Sequence, residues 1–208
     1  MKLVSALSLL ALAAAPSLAL AAPVPLADFE NNWNYGDLVD NTYAGNGVSF
    51  TNVLGLSNTP DFTYYTNAPS SQGTAMAQLD GVYNTTAFMN VANGIEGGLE
   101  FYYSTPSAIT GAIKAYSGLN GTGTLLGTYS FVANDFNTIV DTDGTSYALY
   151  DSWTQGTFTF SGVAMSFDLS ATANVAGLDN IASVPEPTTL ALVAAGLGLV
   201  GMMRRRQA

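Results

Sequence analysis

The chain has 208 residues with no cysteine and no histidine, which excludes disulfides, thiolate nucleophiles, Ser-His-Asp triads and zinc sites built on thiolate or imidazole. Fifteen Asp and Glu stand against five Lys and Arg, a net of -10, and four of the five cations lie at the ends as Lys2, Arg204, Arg205 and Arg206. Residues 22–187 therefore hold one lysine, Lys114, against fifteen acids, a net of -14 that repels nucleic-acid phosphates and anionic lipid while attracting divalent cations.

In chain order, the first element is an export signal. Lys2 precedes an apolar run from Leu3 to Leu20, and Ala19-Leu20-Ala21 fits the small-x-small pattern for signal peptidase. Cleavage between Ala21 and Ala22 keeps Pro23 off the scissile bond. A signal helix over 1–21 and a passage through the secretion translocon are expected.

Residues 22–183 show no sustained helical period. Short alternating segments recur between Gly, Asn, Asp, Pro and Ser clusters, which predicts an all-β domain, a two-sheet sandwich of about ten strands. Expected strands run over 47–53, 62–65, 85–91, 98–103, 108–117, 124–132, 146–153, 156–160, 163–169 and 178–182. Ile113 to Tyr116 and Leu125 to Tyr129 flank Asn120-Gly121-Thr122-Gly123 as a hairpin. Phe158, Phe160, Val163, Met165 and Phe167, on either side of Ser161-Gly162, are spaced as core. Asp141-Thr142-Asp143-Gly144 lacks the later glutamate of a calcium loop and reads as a turn.

The C-terminal segment, 184–208, has three parts in order: Pro185-Glu186-Pro187, an uncharged stretch from Thr188 to Met203, and Arg204-Arg205-Arg206. Sixteen helical residues span about 24 Å, enough for a marginal transmembrane helix whose arginines stay cytoplasmic and leave the domain outside. The two prolines predict an extended, exposed peptide suited to a protease. This tail resembles the PEP-CTERM sorting signal of Gram-negative bacteria. The resemblance implies an exosortase that recognises Pro185, Glu186 and Pro187, transient anchoring in the inner membrane, and delivery to the cell surface or beyond.

The acidic opening Asp28-Phe29-Glu30, the strand Gly47 to Phe50, the hairpin at Asn120 and the close Leu178-Asp179-Asn180-Ile181 resemble jelly-roll or galactose-binding-like domains. In such sandwiches the first and last strands are neighbours. That would gather Asp28, Glu30, Asp179 and Asn180 as oxygen donors for a structural calcium ion. Trp33 and Tyr65 are expected to be exposed rings for sugar binding, and Trp153 a core ring. Catalysis would need a carboxylate pair such as Glu96 and Glu100, which nothing singles out, so the expectation is no enzyme. The favoured reading is a surface or matrix module that interacts with exopolysaccharide. A purely adhesive module and a polysaccharide-active enzyme are the alternatives.

Overall fold

The computed structural model describes residues 22–185, apart from Tyr35, 58–64, Ser71 and Asp141. The signal segment, the Glu186 to Ala208 tail and Tyr64 lie outside the described residues. Residues 21–186 form one compact unit.

Thirteen strands are present among the described residues: β1 (Val24–Ala27), β2 (Val48–Thr51), β3 (Val53–Leu56), β4 (Thr74–Ala77), β5 (Phe88–Ile95), β6 (Gly98–Ser104), β7 (Ile109–Tyr116), β8 (Leu125–Phe131), β9 (Thr138–Val140), β10 (Ser146–Ala148), β11 (Thr154–Thr159), β12 (Ala164–Asp168) and β13 (Gly177–Val184). Two antiparallel sheets carry the fold. One has the order β11-β6-β13-β4-β3 with β1 added on β13, and the other β2-β5-β12-β7-β8. The all-β two-sheet architecture read from the sequence is the one observed. The β9–β10 ribbon stands apart from both sheets.

Alternation explains which strands were legible. In β11, Gly156 and Phe158 are buried while Thr154, Gln155, Thr157 and Thr159 are exposed, the period of two that marks a half-buried strand. The inner faces meet through aromatic rings: Phe101 packs edge-on against Tyr129 at 5.4 Å, and Phe131 stacks on Tyr103 at 4.1 Å. Burying such rings contributes roughly 1.5–3 kcal/mol each. The expected hairpin is β7 with β8, Lys114 facing Thr128.

Some readings change. The strand expected over 146–153 is β10 alone, and the segments on either side of Ser161-Gly162 lie in different sheets, β11 pairing with β6 in one and β12 with β5 and β7 in the other. Val163 lies in that crossover and is 41 % exposed, whereas Phe158, Phe160 and Phe167 are core. The stretch expected as one strand over 47–53 is divided at Asn52, whose φ of 54° turns the chain from β2 in one sheet to β3 in the other.

The registers define two ends. Val184 of β13 faces Gly98, Thr159 of β11 also faces Gly98, and Ser183 faces Val24 of β1. The turns 95–97 and 161–163 therefore lie where the described chain starts and finishes. At the opposite end lie the β4–β5 loop, the β6–β7 connection, the 132–153 excursion and the 169–176 connection.

Candidate functional site

Partway along its length β13 changes neighbour. Leu178 pairs with Ala75 of β4, and Ile181 with Ala27 of β1. At that junction the register against β6 shifts between Asp179 and Ala182, and Asn180 takes φ 48°. The irregularity turns polar side chains into a gap that neither β4 nor β1 closes. The loop before β4 fills it: Asp179 Oδ2 accepts the Ser70 N–H at 2.9 Å, and Asn180 Oδ1 accepts the Ser70 hydroxyl at 2.8 Å. Glu30 Oε1 accepts the Gln72 and Gly73 N–H groups at 2.9 and 3.2 Å.

Asp179 is fully buried, and that burial, reinforced by the charge of Glu30, pushes its carboxyl up to about 6. Of the four donors expected from sequence, Glu30, Asp179 and Asn180 thus gather here. Asp28 Oδ1 instead accepts the Tyr43 hydroxyl at 3.0 Å, and burial together with this carboxylate pushes Tyr43 upward. No group of three or more Asp or Glu side chains that could hold a metal forms among the described residues.

The two rings expected to be exposed are not free platforms. Tyr65 is 5 % exposed and stacks on Tyr150 at 5.2 Å, in a second apolar cluster with Leu54 and Leu56. The reason is that β3 is buried along its whole length, so the outside of its sheet also needs a cover. Trp153 caps the same cluster, its Nε1 donating to the Thr66 carbonyl at 3.1 Å. Trp33 is half-buried: its Nε1 donates to the Phe29 carbonyl at 2.9 Å and its ring covers Gly55, where any Cβ would collide with it. Glu100 accepts a 2.6 Å hydrogen bond from Gln155 Nε2 on β11, while Glu96 sits exposed in the β5–β6 turn. Lys114 lies 3.9 Å from Asp168 on the outside of its sheet.

The exposed rings lie elsewhere, at the loop end. Tyr83 is 90 % exposed and Val82 72 % exposed, both on the β4–β5 loop. Asp80 Oδ1 accepts the N–H groups of Val82, Tyr83 and Asn84, each at 2.8 Å, and these bonds, Asn84 foremost, hold its carboxyl below the usual range. Across the same end, Phe136 is 77 % exposed, beside Val132 and Val140 at 69 and 62 %. Ile139 and Tyr147 face each other across the β9–β10 ribbon.

The foot of that excursion is pinned by Asp135, which is buried and accepts the Tyr150 and Asp151 N–H groups at 2.9 and 3.2 Å. Burial pushes Asp135 upward, and the Asp151 carboxyl within hydrogen-bonding reach adds to it. Despite some desolvation, hydrogen bonds with Asn137, Ser152 and Asp135 hold Asp151 below the usual range, so the two carboxyls are pushed in opposite directions. A signal for Tyr83 was available in Asp80-Gly81-Val82-Tyr83-Asn84, since apolar residues directly after an Asx turn sit at a tip with nothing to pack on.

Exposed rings beside carboxylates and amides suit a neutral, hydroxyl-rich ligand whose C–H faces stack on the rings.

Residues 183–207 match the PEP-CTERM protein-sorting motif. The motif implies export and C-terminal membrane anchoring before processing, toward the cell surface. No curated protein matches the chain. Among solved structures, the K2 cleaved adhesin domain of Lys-gingipain is 14 % identical, with 76 % of this chain and 99 % of that one covered and a TM-score of 0.46. A carbohydrate binding module from Cellvibrio mixtus lichenase 5A, solved with cellotriose, is 11 % identical over 78 and 95 %, TM-score 0.37. The enzymatically active domain of Bacteriophage CBA120 tailspike protein 4 is 12 % identical over 76 % of this chain and 21 % of that one, TM-score 0.34.

Proposed function

We propose that this chain, an exported exosortase substrate by virtue of its PEP-CTERM motif, is a non-enzymatic surface or extracellular-matrix module that binds exopolysaccharide through the loop end of its sandwich. The observation that carries the reading is Tyr83, almost wholly exposed on a turn that Asp80 fixes with three hydrogen bonds. A turn backbone fixed before binding lowers the entropy lost when the ring engages a ligand. With so negative a domain, neutral polymers are favoured over polyanionic ones. A saccharide array probed with protein recovered from outside the host tests this. Binding to neutral glycans supports it, and absence of binding to any glycan overturns it.

Processing belongs to the same proposal. Signal peptidase would cut between Ala21 and Ala22, and the exosortase near Pro185 to Pro187, releasing Arg204 to Arg206 with the tail. Intact mass of the external protein reads both cuts, and retention of the arginines would leave a plain membrane anchor. Calcium at Glu30, Asp179 and Asn180 is its third part, since a divalent ion would offset the repulsion of two acids at the junction. A melting temperature unmoved between millimolar calcium and chelator ends that part.

A second reading, adhesion without a small ligand, is favoured by the exposed apolar side chains of Val132, Phe136 and Val140. Self-association that disappears in Phe136→Ser, with no glycan binding, would select it.

A further inference from the structure

Strand β13 delivers the sorting motif with no linker. Ser183 and Val184 are still paired with Leu99 and Gly98 of β6, and Ser183 is also paired with Val24 of β1. The next residue, Pro185, already lines a shallow cavity of about 360 Å³ with Ile95, Glu96 and Ser183. Two turns form the rim. Phe160 N–H donates to the Gly97 carbonyl at 3.2 Å, and Val163 packs so closely on Gly94 that a Cβ there would collide with it. Val163 and Val24 are 41 and 53 % exposed, and Glu96 is the one carboxylate among the described residues of these turns.

A protease holds its substrate extended over several residues on each side of the scissile bond, at about 3.3–3.6 Å per residue. For a cut between Val184 and Pro187, the residues on the N-terminal side are those of β13 itself, fixed in the middle of a sheet. The enzyme cannot take this peptide without meeting the end of the sandwich. We infer that the turn end, with Ile95, Glu96 and Val163 around Pro185, is a docking surface for the membrane protease that processes the tail. The inference rests on the reading that the tail is cut near its Pro-Glu-Pro motif. The surface suits that partner because it is small, apolar at Val24 and Val163, and nearly free of the negative charge that elsewhere would be repelled by anionic lipid around a membrane enzyme.

The test is a pulse-chase of the full chain in its native host, with precursor and product resolved by intact mass. Val24→Asp and Val163→Asp place negative charge on the exposed apolar rim and should slow conversion at least fivefold, while the melting temperature of the external protein reports whether the domain has stayed folded. An eight-residue Gly-Ser insertion after Val184 should also slow it, since the peptide is then no longer in register with the docking surface. Conversion at the wild-type rate in the two substitutions, or faster conversion after the insertion, overturns docking and makes the folded end only an obstacle. A wild-type chain that keeps Arg204 to Arg206 throughout the chase overturns the cleavage reading itself, and the docking surface with it.

Discussion

The two ends of the sandwich are built on opposite principles. At the turn end, connections are short, the described chain begins and finishes in adjacent strands, and one described carboxylate is present. At the loop end, connections are long and carry exposed rings, and acids such as Asp80 and Asp135 fasten the loops by accepting their backbone N–H groups. A carboxylate that accepts two or three backbone N–H groups can stiffen a loop that has no helix or sheet to lean on. The contrast shows how a protein with almost no cations can use acids structurally.

The strongest way to break the contrast is to undermine the loop end from below. Phe131 closes β8 just before the 132–153 excursion and is 2 % exposed, so Phe131→Ala should cost about 3–5 kcal/mol in urea unfolding. It should also abolish glycan binding; a loss of stability with binding intact would mean the loop end does not depend on its ring support.

The next effect is on pH. The Asp179 carboxyl stands at about 6 in the fold, above the roughly 3.9 of an unfolded Asp, so the fold favours its protonated form. That contribution is full below about pH 4 and is lost as pH rises to about 6, a fall of about 2–3 kcal/mol. Asp135, also raised, adds in the same direction. Urea midpoints that climb from pH 4 to 6 would refute both assignments.

Binding follows in size. Tyr83→Ala should weaken the best glycan about tenfold with stability changed by less than about 0.5 kcal/mol, the usual range for an exposed site. An equal loss from a substitution at the turn end, Val163→Ala, would deny the division of roles. The smallest effect is Glu30→Gln, which keeps the acceptor for Gln72 and Gly73 while removing a charge near Asp179. It should stabilise the domain by about 1 kcal/mol at pH 7.5 and flatten the pH dependence between 4 and 6.

The legible part of the fold was what alternates. In β5, β6, β11 and β13 buried residues alternate over several positions with less buried ones, and their residues say so. Strands β3 and β4 do not alternate: Val53 to Leu56 is buried throughout because a second apolar cluster covers the outer face, and such a strand has no period to detect. The same cluster took Tyr65 from the expected surface into the interior. Strands β1 and β9 are too short to rise above the surrounding polar sequence. At the junction, the neighbouring of first and last strands was foreseeable by resemblance. The Ser70 to Gly73 segment that satisfies Asp179 and Glu30 was not, because a contact between residues 109 positions apart leaves no local pattern.

The position of β13 in its sheet has a mechanical consequence. Pulling on its end at Val184 while the loop end is held by a bound polymer would act along the strand axis. Its hydrogen bonds to β6 on one side, and to β4 and β1 on the other, would be loaded together in shear instead of peeled one by one.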